Sequence, residues 1–241
     1  MEVNSLPKKI RDNLKDFLTV KNSTDTSADL YFYGDIVSDW WGAWQDEDQY
    51  PDAVKNFLNE HKNKSLNIHV NSGGGSVFAG ITIYNMLKNH NGLKTTYIDG
   101  LAASIASVIA LASDKVVMGS GTQFMIHKPL TWISGNANDM RACADFLDQI
   151  QTGIMQIYKE NLKNESDYEV VEAMVNAETW LNNEEASKYF NIEISNSFTA
   201  QACVSNCFED YNKTPKSFIK TIENNKDEEE KIKLLMEIDL I

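Results

Sequence analysis

Short apolar runs alternate with stretches of helical spacing along the central part of the chain. Runs rich in aromatic and β-branched residues predict five strands, at residues 30–33, 67–70, 95–98, 116–118 and 124–126. Apolar residues three or four positions apart predict helices at 54–58, 76–87, 137–162 and 184–189. Residues 105–112 are apolar on every side, which indicates a helix that is buried all round. This alternation favours an α/β fold with a mostly parallel sheet and helices on its faces.

The composition changes on both sides of this alternating region. Residues 1–27 are polar and predict a lead-in loop, whereas residues 28–197 carry the predicted strands and helices. Residues 198–241 are more polar, contain an acidic run at 227–230 and end in the apolar-rich sequence LLMEIDLI. Since 241 residues suffice for one sizeable core, we expect one domain at 28–197, followed by an acidic appendage at 198–241.

Charge and cysteine content argue against several functions for this chain. The net charge is -13, whereas a nucleic-acid-binding protein needs a clustered basic face. No run of about 18 uncharged apolar residues predicts a membrane helix, and the N-terminus lacks the apolar core of a secretory signal, so we expect a cytoplasmic protein. Cys143, Cys203 and Cys207 do not supply four zinc ligands, and we expect reduced thiols and no bound metal.

A serine between small residues lies at the turn that opens the buried helix. In GLAASI (residues 100–105) the small neighbours would let a substrate backbone approach the Ser104 hydroxyl, and the helix N-terminus would favour a developing oxyanion. Serine at such a position is also a common helix N-cap. The motif alone therefore leaves two interpretations of Ser104 open, a nucleophile or a cap.

His127 is the histidine best placed to act as a base for Ser104. It ends the last of the five predicted strands, and Pro129 prevents that strand from continuing. Open α/β sheets keep their functional sites at strand ends. The other histidines have structural interpretations: His61 and His90 lie in polar stretches and are expected at the surface, and His69 alternates with apolar residues inside a strand.

The sequence NSGGGS (residues 71–76) forms a glycine-rich loop between a predicted strand and a predicted helix. Its backbone N–H groups can converge on an anion. The loop lacks the Lys-Ser/Thr ending of a nucleotide-binding loop, so a phosphate site is disfavoured. An oxyanion hole fits better, because it needs preorganised N–H donors about 3 Å from the developing alkoxide and glycine permits that approach.

Taken in chain order, the glycine loop, GLAAS (100–104) and MIHKP (125–129) resemble the proteolytic subunit of the Clp protease family, ClpP, over residues 28–196. The helix-rich stretch at 135–162 resembles the handle of that family. The resemblance implies a ClpP/crotonase-like fold of repeated β-β-α units, with a mostly parallel sheet and a protruding handle segment. It also implies a serine endopeptidase that needs no cofactor and assembles into a homo-oligomeric ring around its peptide substrates.

The same resemblance assigns roles to residues of the site. It implies Ser104 as nucleophile and His127 as base, with the backbone N–H groups of Gly75 and Ile105 as the oxyanion hole. Gly73, Gly74 and Ser76 belong to the implied substrate-binding loop, and Gly73 stands where the family usually has proline. Glu178 precedes Thr-Trp-Leu-Asn where the family has its aspartate, so the third member of the triad would be a glutamate here. Weaker candidates for this acid are Asp139 and Asp167.

The glycine loop and the glutamate also resemble the ClpP-related head maturation proteases of bacteriophages, which cleave scaffold and capsid proteins in the assembling head. Three alternatives remain open at this point. They are an ATPase-dependent housekeeping ClpP-type subunit, an inactive assembly protein of the same fold, and a crotonase-type acyl-CoA hydratase or isomerase. The last needs no serine nucleophile, which Ser104 and His127 together argue against.

Overall fold

A computed structural model describes residues 23–38, 49–199, 203 and 205–215 of the chain, with the backbone alone at 197–199. The predicted lead-in up to residue 22 lies outside the described residues. So do the acidic run at 227–230 and the apolar end of the chain. The described residues thus include most of the predicted domain and the first part of the predicted appendage.

Within the described residues, seven strands form one sheet in which parallel pairing dominates. They are β1 Ser27–Tyr33, β2 Ser65–Ser72, β3 Lys94–Ala103, β4 Lys115–Ser120, β5 Gln123–Ile126, β6 Thr179–Asn182 and β7 Ile192–Thr199. The strand order is β1-β2-β3-β4-β7, and each of these neighbours is parallel. β5 pairs in parallel with the second half of β3, and β6 pairs antiparallel with β5. The predicted α/β fold with a mostly parallel sheet is confirmed.

Helices connect these strands, and several of them begin at a proline or a capping side chain. They are α1 Pro51–Glu60, α2 Val77–Lys88, α3 Ile105–Ala110, α4 Ala137–Glu160, α5 Tyr168–Asn176 and α6 Asn183–Tyr189. Proline starts α1, where its missing N–H costs no intrahelical hydrogen bond. The Ser76 hydroxyl caps α2 by accepting from the Ala79 N–H. Asn136 and Asp139 form a capping box at the start of α4, so Asp139 has a structural role.

The core lies between the sheet and the helices that cover it. All six residues of α3 are buried, as the uniformly apolar sequence predicts. α4 is buried only near its C-terminal end, at Ile154, Met155 and Tyr158, and its first half is exposed to solvent. That first half, with exposed Met140 and Phe146, protrudes from the domain as the handle expected from the sequence.

The sequence pattern located most elements but missed three and misassigned two histidines. α5, β6 and β7 were not predicted. The expectation that His61 and His90 lie at the surface is wrong, since they are 7% and 9% exposed. Their ring nitrogens are hydrogen-bonded to the carbonyl oxygens of Phe57 and Lys64, each at 2.8 Å. Polar sequence neighbours did not reveal these partners, one of which is 26 residues away.

None of the helices in the described ranges is long and apolar enough to cross a membrane. None of the three cysteines forms a disulfide bond. Burial raises the pKa of Cys203 and of Cys207 to about 12, so both thiols stay protonated and unreactive at neutral pH.

Candidate active site

Strand pairing brings the three sequence-predicted catalytic residues to one edge of the sheet. β3 and β5 run parallel and end side by side, so Ser104 after β3 and His127 after β5 leave the sheet together. β6 runs antiparallel to β5, and its first residue is opposite the last residue of β5. Glu178, immediately before β6, therefore faces the same edge.

Ser104 occupies a strained turn between β3 and α3. Its backbone has φ 54° and ψ -127°, a combination that non-glycine residues rarely adopt and that costs about 1–3 kcal/mol. Its N–H donates to the carbonyl oxygen of Met125 at 2.9 Å, which fixes the turn against β5. The side chain makes no capping hydrogen bond to α3. The interpretation of Ser104 as a helix cap is therefore wrong.

The Ser104 hydroxyl is hydrogen-bonded to His127 instead. The distance between Oγ and Nε2 is 2.7 Å, which is within the range expected of a nucleophile and its base. Small side chains before the serine, at Ala102 and Ala103, are fully buried in the strand and bring the turn close to its neighbours. Geometry thus joins the two residues that the sequence singled out.

The glycine loop packs directly against this pair. A Cβ added at Gly74 would lie 2.7 Å from the Ser104 Cβ and 2.9 Å from the Ala103 carbonyl oxygen. A Cβ at Gly75 would lie 2.1 Å from the carbonyl oxygen of Ile36. Both glycines also have positive φ, 107° and 134°. Any larger residue would be strained and would collide at these positions.

The two N–H groups proposed for the oxyanion hole remain available to a ligand. Within the described residues, neither the Gly75 N–H nor the Ile105 N–H donates to a protein acceptor. Ile105 is the first residue of α3, where the N–H has no intrahelical partner. The carbonyl of Ile36 instead accepts from Ser76 at 2.7 Å, which anchors the loop beside Gly75. Donors at these two positions can stabilise a developing negative charge.

Glu178 lies near His127 but is hydrogen-bonded elsewhere. It is 7% exposed, and its φ of 49° makes it, with Ser104, one of two non-glycine residues with positive φ among those described. Its carboxylate accepts from the backbone N–H groups of Asn212 at 2.8 Å and Lys213 at 2.5 Å. The indole N–H of Trp180 donates to Glu178 Oε1 at 3.5 Å. Within the described part of the chain, no hydrogen bond joins Glu178 to His127. The family resemblance singled out Glu178, and nothing in the sequence revealed its hydrogen bonds to Asn212 and Lys213.

Residues after the predicted domain cover the site. We refer to residues 203 and 205–215 as the C-terminal segment. Its Tyr211 ring packs edge-on against His127, with the ring centres 4.9 Å apart, and its hydroxyl donates to the carbonyl oxygen of Gly73 at 2.5 Å. The sequence gave no signal for Tyr211, because nothing local indicates that residues 138 positions apart will meet.

Electrostatics leave His127 ready to accept a proton. Burial lowers the pKa of His127 below its usual value of 6.5, and the negative charge of Glu178 partly opposes this effect. Burial acts to raise the pKa of Glu178, but the backbone N–H groups of Asn212 and Lys213 outweigh it and the pKa falls overall. At neutral pH the carboxylate is therefore charged and the imidazole is neutral.

This balance predicts the pH dependence of nucleophilic attack. The rate at which a fluorophosphonate labels Ser104 should be constant above neutral pH and fall as acid protonates His127. Since burial lowers the pKa of His127, the midpoint of the fall should lie below 6.5. Labelling reactions at a series of pH values, quenched at set times and followed by intact mass measurement, give this midpoint. A midpoint at or above 6.5 would contradict a buried imidazole as the base.

An apolar groove of about 460 Å³ runs from the glycine loop to α4. Its walls include Phe78, Leu130, Trp132 and Phe146, and Trp132 is 87% exposed. The groove begins at Gly75 and Ser76, next to Ser104. A peptide or a second protein chain could bury this surface beside the catalytic edge.

Fold and site together define an α/β protein with a hydrogen-bonded serine and histidine, the arrangement of serine hydrolases. A family model described as Clp protease matches residues 50–193. The chain therefore belongs to the Clp protease family, whose members are ClpP-type serine proteases. The ClpP1 structure of a mutant from Listeria monocytogenes matches 78% of this chain and 96% of its own, with a TM-score of 0.58 and 23% identity. That likeness supports the fold.

Relatives at the sequence level are proteolytic subunits of ATP-dependent Clp proteases. The subunit from Bacteroides thetaiotaomicron is 28% identical over 132 residues, which is 54% of this chain and 59% of the relative. Subunit 1 from Chlamydia abortus is 32% identical over 124 residues, 50% of this chain and 64% of the relative. The chain thus matches less than two thirds of the length of these relatives. The subunit from Bigelowiella natans is 27% identical over 70% of this chain and 90% of its own length.

Proposed function

We propose that this chain is a serine endopeptidase in which Ser104 attacks a peptide carbonyl and His127 acts as general base. The observation that carries the proposal is the 2.7 Å hydrogen bond between Ser104 Oγ and His127 Nε2, at a serine held in a strained turn. Backbone strain persists where the surrounding structure over-determines it and often coincides with catalytic function.

The reaction follows from these positions. His127 Nε2 takes the Ser104 proton as Oγ attacks the carbonyl carbon, and the N–H groups of Gly75 and Ile105 donate to the oxyanion. The tetrahedral intermediate collapses when the protonated His127 gives its proton to the departing amine, which leaves an acyl-enzyme at Ser104. Water then attacks the ester, with His127 as base again, and the Ser104 hydroxyl is restored when the carboxylic acid leaves. No cofactor enters these steps.

Labelling with a fluorophosphonate tests this proposal. The probe should add once to the wild-type protein, and peptide mapping should find the adduct on Ser104. A long incubation of the assembled oligomer allows for a slow reaction. If no adduct forms at Ser104 under any of these conditions, the serine-peptidase proposal fails and an inactive assembly protein of the same fold becomes the better explanation.

Glu178 is proposed as the acidic member of the triad. Its charge favours the protonated form of His127, so it would stabilise the imidazolium that forms as Ser104 attacks. Glutamate has one more methylene than the aspartate that the family resemblance leads us to expect, and that length lets the carboxylate point toward or away from the ring. Asp139 caps α4, and Asp167 lies in a 3₁₀ turn that has no buried residue, so neither competes for this role.

Replacing Glu178 with glutamine tests the acid at constant side-chain size. We expect the labelling rate of Glu178→Gln to fall about 10- to 100-fold, because the imidazolium that forms on His127 loses the neighbouring negative charge of Glu178. The acid midpoint should also move to lower pH. Glu169→Gln removes a charge from an exposed position in α5 and is the matched control. Equal rates in both variants would assign Glu178 a purely structural role.

The biological setting is a finer proposal. The relatives named above support a ring-forming proteolytic subunit that degrades proteins delivered by an unfolding ATPase, and the exposed apolar groove beside α4 is consistent with contacts between subunits. Head maturation in a bacteriophage, with scaffold and capsid proteins as substrates, rests on the glycine loop and Glu178 alone. We therefore favour the subunit.

Copurification separates these two settings, whereas the oligomeric state does not. Native mass spectrometry of the purified protein should show a ring-sized homo-oligomer in either case. Copurification with an ATPase of the unfolding class would support the subunit, whereas copurification with capsid proteins and their cleavage would support head maturation.

A further inference from the structure

The C-terminal segment follows the part of the chain that matches the Clp protease family, which ends at residue 193. It folds back across the edge of the sheet where the glycine loop, Ser104 and His127 meet. Residues of the segment contact each of these three features. Its position therefore bears directly on whether a substrate can reach the site.

Polar contacts anchor the start of the segment to the end of β1. The Ser205 hydroxyl donates to Asp35 Oδ1 at 2.5 Å, and the Asn206 N–H and side-chain amide donate to Asp35 Oδ2 at 3.2 and 3.3 Å. Asp35 is 8% exposed, so these hydrogen bonds stabilise a largely desolvated carboxylate. The fit to the glycine loop is tight, because a Cβ at Gly73 would lie 2.0 Å from the Ser205 Oγ.

An apolar contact anchors the middle of the segment. Phe208 is 2% exposed and belongs to a small cluster with Leu101, Ala103 and Met125. These three residues lie in β3 and β5, next to Ser104 and His127. Burying a phenylalanine in this way stabilises the contact, because it removes apolar surface from water. The segment is thus attached to the strands that carry the catalytic pair.

Tyr211 then occupies the space that a substrate needs. Its hydroxyl donates to the Gly73 carbonyl oxygen, and its ring packs against His127. A peptide that adds to the glycine loop as an extended strand would pair with backbone groups such as this carbonyl. Burial raises the pKa of the Tyr211 hydroxyl well above its usual value, and the adjacent Ser104 side chain opposes part of that rise. A phenol in contact with both catalytic residues excludes a peptide carbonyl from Ser104.

The segment also hydrogen-bonds to the proposed acid. The N–H groups of Asn212 and Lys213 donate to opposite oxygens of Glu178, and the Asn212 side chain adds a third hydrogen bond at 3.2 Å. Lys213 Nζ further binds the Ala177 carbonyl oxygen. With these donors in place, the Glu178 carboxylate is engaged by the segment and not by the His127 ring.

We propose that the C-terminal segment is an autoinhibitory element that fills the substrate cleft with Tyr211 and sequesters Glu178. This inference rests on the proposed peptidase function. Displacement of the segment would free the Gly73 carbonyl, open Ser104 and release Glu178 to turn toward His127. One movement thereby couples access to the nucleophile with completion of the triad. Substrate and segment compete for the same cleft, so the apparent affinity for substrate falls by the fraction of molecules that are open.

The rate of Ser104 labelling by a fluorophosphonate measures this closure. Tyr211→Ala should be labelled at least about 10-fold faster than wild type, because the open fraction rises when the ring and hydroxyl contacts are lost. Tyr211→Phe keeps the ring on His127 and loses the hydroxyl with its hydrogen bond to Gly73, so its rate should lie between the two. Asp210→Ala, at an exposed neighbouring position of the segment, should match wild type.

Hydrogen exchange on the wild-type protein gives a second measurement that needs no variant. The Asn212 and Lys213 amides should be protected in the free protein, since they donate to buried Glu178. Once the fluorophosphonate occupies Ser104, these amides should exchange faster, while amides of β2 and β3 should not change. Unchanged protection in the labelled protein would overturn autoinhibition even if Tyr211→Ala failed to fold.

The outcomes separate this inference from the function on which it rests. Labelling of Ser104 at equal rates in wild type, Tyr211→Ala and Asp210→Ala would overturn autoinhibition and leave the peptidase intact. Absence of labelling at Ser104 in every folded variant, including Tyr211→Ala, would overturn the peptidase and autoinhibition with it. Circular dichroism and thermal unfolding establish which variants are folded.

Discussion

Ser104→Ala is expected to lower peptide hydrolysis by at least about 10³-fold and to abolish fluorophosphonate labelling, because the acyl-enzyme forms on its Oγ. The stability of the variant should barely change. Ser104 makes no cap to α3, and alanine has the same Cβ at the same positive φ, so the backbone strain is common to both. Hydrolysis of an unfolded protein, followed by mass spectrometry of the products, provides the measurement.

Ser120→Ala is the matched control for this change. Ser120 is an exposed serine at the end of β4, so its hydroxyl should not affect the reaction. Both variants should unfold at the wild-type temperature. Residual hydrolysis by Ser104→Ala at a rate near wild type would show that the observed activity comes from another residue or a contaminant.

Gly75→Ala is expected to lower both stability and activity. The added Cβ would lie 2.1 Å from the Ile36 carbonyl oxygen and 2.9 Å from the Ile36 nitrogen, and a backbone neighbour cannot rotate away. Together with the positive φ of 134°, this should reduce the free energy of unfolding by at least about 2 kcal/mol. The labelling rate should fall about 10²-fold or more, since the loop shift displaces one oxyanion donor. Urea denaturation and labelling kinetics measure the two effects.

Gly153→Ala is a control that makes the same substitution but should change the free energy of unfolding in the opposite direction. Gly153 lies within α4, where an added Cβ meets no heavy atom within 4 Å. Alanine should therefore raise the free energy of unfolding by up to about 1 kcal/mol, because glycine is a poor helix former. If Gly75→Ala were as stable and as reactive as Gly153→Ala, the glycine loop would not have the role proposed here.

The alternating pattern of short apolar runs and helical spacings was enough to predict the fold class. It located β1 to β5 and most of the helices, because each of these segments has a local signature in its side chains. β6 was missed since its four residues, Thr179–Asn182, have no clear alternation. β7 was missed too, because the alternation of Ile192 and Ile194 stops at the polar residues that follow. α5 is short, and its apolar positions were not separated from the surrounding polar sequence.

The residues of the candidate site also fall into those with a local sequence feature and those without one. Ser104 and His127 could be found from sequence because a serine among small residues and a histidine before Lys-Pro are local features. The glycine loop could likewise be found from sequence, because three consecutive glycines are a local feature. Glu178 came from the family resemblance, and only strand pairing showed how it reaches the same edge as Ser104 and His127. Its hydrogen bonds to Asn212 and Lys213 had no counterpart in the sequence pattern.

By itself, then, the sequence determined the α/β class and singled out Ser104 at a tight turn and His127 at the end of β5. Only the tertiary structure decided what covers that site. The contact between Asp35 and Ser205 spans 170 residues, and the contact between Gly73 and Tyr211 spans 138. Local propensities act over a few residues and contain no information on such pairs. These contacts arise from burial and hydrogen bonding that exist only once the whole chain has folded.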